Sequence, residues 1–317
     1  MIAVLAFVTR AVALAAIVAM TGAIAFRWGV LRRWPATSPA PLGEWSASVA
    51  RAGAWAAVCI VLIAPLRLYA QAHGLVMAGD PVLPMMSNVI QTMWGRGWIL
   101  QCGAALAMLA ALLWAGRGSP RGWRLALVSA IAITSSPALM GHAIAAERLL
   151  VLSMLADWLH VSMAGAWLGT LAMLALVAQR AATGAAGGDP PVATLIELFH
   201  PVALTCSLAL VVTGVVSVLL RVDRLGDLLH SRYGAILAVK LLLTFCVAAL
   251  GLHHSRRGAQ LARRGETRGV VRSLASEVAL AVMVIAATAV LVATEPPMHD
   301  DSMQMHASAW RGSGPAR

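Results

Sequence analysis

Apolar runs separated by short basic connectors set the first limit on how this chain can fold. They cover roughly residues 11–26, 49–69, 98–115, 125–142, 149–178, 202–220, 235–252 and 270–293. A helix rises about 1.5 Å per residue, so roughly 20 apolar residues cross a hydrocarbon layer of ~30 Å. In that layer each backbone N–H and C=O must find its partner within the protein, and a helix satisfies them within one segment. The runs are mostly apolar around the whole helical circumference, as buried or lipid-facing helices are. They predict an all-α fold, a polytopic membrane helix bundle of about eight transmembrane helices. The chain is 60% hydrophobic and 12% charged, with a mean hydropathy of +0.80. A soluble domain would carry roughly 25% charge.

The net charge of +11 does not point to nucleic acid. All but one of the 24 basic residues are arginine, most lie between apolar runs, and no long soluble segment offers a binding face. Basic residues in such connectors set topology. Arg27, Arg32 and Arg33 follow the first run, Arg117, Arg121 and Arg124 the third, and Arg256, Arg257, Arg263 and Arg264 the seventh. The alternate connectors and both termini hold fewer. The positive-inside rule then places both termini outside, which is the periplasm in a bacterial inner membrane. The first run is expected to be an uncleaved span, because its positive cluster follows it rather than preceding it. The four cysteines all fall in apolar runs without a CxxC spacing, and read as buried apolar residues.

One run breaks its own pattern. Residues 149–178 include Asp157 and His160, with Met163 three positions further on. Ionisable groups at membrane depth cost a few kcal/mol or more, so they are paired and usually functional. Residues three apart share a helix face. The stripe fits a metal or proton site with an orienting carboxylate, and equally a structural Asp–His pair joining two helices. Lys240 and Glu277 are charges inside the last two runs. They either pair across the last two spans, or snorkel or serve structure, and the second reading is favoured.

The predicted topology gathers soft and borderline ligands on the outer side: Met140, His142 and the segment MHDDSMQMH, with Met298, His299, Met303, Met305 and His306. The connector 71–95, read as a polar and flexible loop, adds His73, Met77, Met85, Met86 and Met93. Thioether with imidazole suits copper, Cu(I) above all, whereas carboxylates suit harder ions. Residues 181–201 and 253–269 read as loops, and Pro137 is expected to kink or end the fourth span.

The second half of the chain resembles the copper resistance D family of bacterial inner-membrane proteins. The resemblance runs from GHA at 141–143 through DWLH at 157–160, AGAWLG at 164–169 and FHPVAL at 199–204. It continues through TGVVSVLL at 213–220 and RYGAILAVKLLL at 232–243 to LASEVAL at 274–280, before TEPP. Residues 1–140 match only as a set of suitable membrane spans. The expected organisation is therefore N-terminal spans over 1–140, a family-like membrane core over 141–297, and a periplasmic Met/His-rich tail over 298–317. Relatives often carry Ser where His200 stands and Asn where His253 stands, so neither takes a family role here.

The resemblance implies a multi-pass inner-membrane protein that moves copper between periplasm and cytoplasm, import being favoured, with a separate periplasmic chaperone of the CopC type as partner. On this reading His142, His160 and Met163, with Met140, form the intramembrane site, Asp157 orients His160, and the tail concentrates metal. No P-loop or phosphorylated-aspartate arrangement is visible, and no nucleophile stands beside a base, so no enzymatic role is expected. A rival reading is a haem b electron-transfer protein, with His142 and His160, or His200 and His253, as axial ligands. A third is an assembly scaffold for a copper oxidase.

Overall fold

The structure, a computed structural model, describes residues 1–37, 40–77, 80–141, 149–184, 192–222, 225–264 and 266–294. Among them there is no strand. The chain opens with α1 (Ile2–Gly29), a 3-10 turn (Leu31–Arg33), α2 (Leu42–His73) and α3 (Val82–Gln91). Next come α4 (Met93–Gly116), α5 (Pro120–Met140) and α6 (Leu150–Ala164). A π-helical turn, Gly165–Gly169, joins α6 to α7 (Thr170–Gly184). Then follow α8 (Val192–Arg221), a 3-10 turn (Leu225–His230) and α9 (Arg232–His253). A second π turn (His254–Gly258) leads into α10 (Ala259–Arg263), and α11 (Thr267–Leu291) closes the described chain. Eight helical stretches among these residues are long and apolar enough to cross a membrane. Two of them, Leu150–Ala182 and Arg232–Arg263, run through a π turn.

The helices begin where the sequence provides caps. Hydroxyls of Thr92, Ser119 and Ser231 accept from the backbone N–H of Gly95, Gly122 and Gly234, at 3.2, 3.4 and 3.1 Å. Each satisfies one of the orphan donors of a first turn.

Several connectors are more ordered than hydropathy implies. Residues 71–95 contain α3, whose Val89 is buried with Leu68 and Ala72 of α2. Met85 and Met86 pack against the same cluster, so they serve as apolar filling there. Residues 192–201 belong to α8, because Val192, Leu195, Ile196 and Phe199 recur at helical spacing and are buried. That periodicity outweighs Pro201, which sits inside the helix, as does Pro137 in α5. Residues 253–263 likewise continue the α9 stretch, with Ala259 and Ala262 buried. Hydropathy marks the part of a helix within lipid, whereas hydrogen bonding decides where the helix ends.

The core is organised around α1, which touches α2, α5, α7, α8 and α11. Ile17, Met20, Ala23 and Phe26 are its buried face. The first π turn lies directly on it: Gly165 meets the Thr21 side chain, and Gly169 meets the backbone at Gly22. Small residues at such crossings permit the close approach that holds membrane helices together. The outer surface is apolar, including Leu208, Val211, Val215, Leu241, Leu242 and Phe245. Of the four cysteines only Cys206 is buried; Cys59 is exposed on this apolar surface, and Cys102 and Cys246 are intermediate. Burial among protein helices was therefore expected too broadly, since a bilayer accommodates the same side chain on the outside.

A polar chain crosses three helices. Arg67 of α2 donates to Gln101 Oε1 of α4, and Gln101 Nε2 donates to Ser136 Oγ of α5 at 3.1 Å. Gln101 is 2% exposed, so neither neighbour has water as a substitute there. Gln101→Leu is expected to cost about 2 kcal/mol, the usual scale for losing a hydrogen bond to a charged group. Gln101→Glu, which keeps the acceptor for Arg67, should cost less. Thermal unfolding of the two variants in detergent measures the difference.

Candidate metal site

The site begins with two antiparallel helices carrying matched polar residues. On α6, Asp157 and His160 lie one turn apart; on α8, Thr213 and Ser217 do the same. His160 Nδ1 lies 3.0 Å from Thr213 Oγ1, and Ser217 Oγ donates to Asp157 Oδ1 at 3.4 Å. The earlier α6 residue thus meets the later α8 residue, as antiparallel packing requires.

The hydroxyl fixes the imidazole's tautomer. Thr213 donates its own proton to the Ala209 carbonyl at 2.8 Å. Its oxygen is then left to accept from His160 Nδ1–H, which in the neutral ring puts the lone pair on Nε2. A neutral imidazole with one nitrogen held in this way is in the form that ligates metals. Gly214 flanks the ring, and a Cβ there would stand 3.6 Å from His160 Cε1, an ordinary contact.

α6 is anchored on its other side as well. Trp158 Nε1 and Ser162 Oγ both donate to Thr134 Oγ1 of α5, at 3.1 and 3.0 Å. Thr134 is 2% exposed and passes its own proton to the Ala130 carbonyl at 2.8 Å. His160 is thus positioned from α5 through its neighbours and from α8 directly. Met163, half-buried, packs against the main core one turn further along α6. Met140 lies near Gly97 of α4, six residues and so about 9 Å along α5 from Thr134. His142 and the tail ligands Met298, His299, Met303, Met305 and His306 lie outside the described residues. The sequence reading missed Thr134, Thr213 and Ser217. Thr213 and Ser217 fall within TGVVSVLL, part of the family resemblance, and all three are hydroxyls inside apolar runs.

A second polar site stands elsewhere in the bundle. His254, in the π turn, bonds through Nδ1 to Glu277 Oε1 of α11. Glu277 therefore pairs with His254 rather than with Lys240. Lys240 is fourteen residues from His254, about 21 Å along the helix, beyond the reach of a lysine side chain. His254 and Glu277 line a cavity of about 220 Å³ together with His200, Ser207, Trp167 and Phe199. His253 is exposed and does not line it, so His200 and His253 do not face one another there. Among the described residues no three His, Cys, Asp or Glu side chains converge as a metal cage.

Thr213→Val keeps the shape of the α8 face and removes the acceptor for His160. Losing an outer partner of a ligating imidazole typically weakens metal binding about 10- to 100-fold. Were His160 a copper ligand, that drop would appear in a copper(I) competition titration, with the folded yield unchanged.

An all-helical, multi-pass membrane bundle with an imidazole fixed at the α6–α8 interface defines the class. Two family models for copper resistance protein D match this chain, one in each part. The model described as "Copper resistance protein D" matches residues 193–291, and "Copper resistance protein D-like, N-terminal domain" matches residues 1–152. The family likeness thus includes the N-terminal spans, where the sequence reading had found only a suitable number of helices. The chain is also similar to "Copper transport protein CutJ" of Bacillus subtilis (strain 168), at 28% identity over 257 residues. That alignment covers 77% of this chain and 45% of the relative, so the chain spans less than half of the relative's length. No solved structure matches it.

Proposed function

We propose that this protein carries copper, as substrate, across a bacterial inner membrane, in the direction of import. The observation that supports this most is His160 at membrane depth, with its Nδ1–H directed to Thr213 and its ligand-form nitrogen thereby assigned. The family and the name of the relative supply the ion. Met163 on the same helix and Met140 of α5 offer thioethers, and His142 a second imidazole, the ligand types suited to Cu(I). Asp157, which accepts from Ser217, places a carboxylate one turn from the imidazole.

With both termini periplasmic, the Met/His segment 298–306 raises the local metal concentration and receives copper from a CopC-type carrier. Movement follows gradients or handover between ligands, without nucleotide hydrolysis and without a catalytic residue. Reconstitution in liposomes tests this: the protein should admit Cu(I) to a trapped chelator faster than empty liposomes do. Equal rates would remove the transport reading and leave the scaffold. A Soret band in the purified protein would replace copper with haem b.

A further inference from the structure

The His254–Glu277 pair remains outside that proposal, yet it has the same construction as the His160 site. In both, an imidazole on one helix is held through Nδ1 by an oxygen from another. For His160 the holder is the Thr213 hydroxyl, and for His254 the Glu277 carboxylate. A carboxylate accepts, so the proton is again on Nδ1, and in the neutral ring Nε2 carries the lone pair. The two residues are 6% and 2% exposed, deep enough that the pair is shielded from water.

The surroundings point to a ligand. His254 and Glu277 open onto the cavity of about 220 Å³, whose walls are otherwise largely apolar, with His200 and Ser207 of α8 as further polar groups. Carboxylate, imidazole and cavity are arranged as in a metal site in which the carboxylate sets the ring and raises its basicity. The π turn contributes by placing His254 inward while His253, its neighbour, is exposed. Such turns are rare and occur frequently at functional sites.

One helix joins the two imidazoles. Ser207 of the cavity precedes Thr213 of the His160 site by six residues on α8, about 9 Å. His200, seven residues before Ser207, lies a further ~10 Å along the same helix.

We infer that His254, oriented by Glu277, is a second binding station for a soft monovalent cation of the Cu(I) class, with His200 across the cavity as its partner ligand. This rests on the copper reading above, and the two are separable by experiment. The full chain in detergent is titrated anaerobically with Cu(I) against a chromophoric chelator. His254→Ala is expected to bind one equivalent fewer than wild type, and His160→Ala independently one fewer. Glu277→Gln, which keeps the shape of the pair, should preserve the stoichiometry and weaken one site about 10- to 100-fold. If His160→Ala loses an equivalent while His254→Ala and Glu277→Gln both titrate as wild type, the second station is wrong and the His160 site stands. If the losses fall on His254→Ala alone, the second station stands and the His160 assignment fails. Should wild type bind no Cu(I), both fall. Where His254→Ala does not fold, Glu277→Gln decides: unchanged affinity overturns the proposal.

Discussion

Purified His160→Ala should contain one copper equivalent less than wild type and should transport Cu(I) at least about tenfold more slowly. The scale follows from the surrounding contacts. Removing only an outer partner of a metal-bound imidazole costs roughly 10- to 100-fold in affinity, so removing the imidazole costs no less. The competing account makes His160 a structural link between α6 and α8. It predicts a different pattern, because the His160–Thr213 bond is one intramembrane hydrogen bond, and such bonds average about 0.6 kcal/mol. On that account the variant melts slightly lower and binds copper unchanged. Acidity separates the accounts again. Only neutral imidazole ligates, so copper binding by wild type should weaken as the pH falls, and the variant should lose that part of the dependence.

How far this site could be read in advance depended on which interactions are local. That Asp157 and His160 share one face follows from three residues of spacing and needs no tertiary knowledge. That they meet Thr213 and Ser217 depends on α6 lying beside α8, which spacing within one run does not reveal. Of the readings offered for Glu277, the pair with Lys240 falls for the same reason. Lys240 and Glu277 are opposite charges in successive spans, and pairing them is reasonable until their depths are compared. α9 and α11 place Lys240 near the start of one helix and Glu277 beside the end of the α9 stretch, where His254 waits.

The helices themselves were legible because about twenty apolar residues have few alternatives in lipid. Their ends were not. The stretch from Val192 to Phe199 carries a helical apolar period, but its Pro-containing neighbourhood resembles a loop when hydropathy alone is followed. The motif AGAWLG shows a further limit. Its residues carried part of the family resemblance, and in the structure they form the π turn that lies on α1. A motif can thus mark a family through its packing alone.

That packing gives the largest stability effect to be expected. Gly169→Val and Gly22→Val should each destabilise the bundle by about 3 kcal/mol or more, enough to abolish a folded yield in detergent. A Cβ at Gly169 would fall on the Val18 carbonyl oxygen and stand 2.7 Å from Gly22 Cα; one at Gly22 would fall on the Gly169 backbone. Backbone cannot rotate aside as a flexible side chain does, so the helices must separate. In lipid their separation gains nothing from solvent and forfeits the dispersion contacts that hold them. The sign is the informative part. Placing alanine for glycine inside a helix ordinarily favours the helix by about 1 kcal/mol. Gly169→Ala should nevertheless lower the melting temperature, because the clash begins at Cβ. Gly214→Ala is the matched control, since its Cβ would meet only His160 Cε1 at 3.6 Å, and it should fold as well as wild type. If Gly169→Ala and Gly214→Ala melt together, the α1 crossing does not hold the π turn in place. The positioning of His160 would then have to come from Thr134 and Thr213 alone.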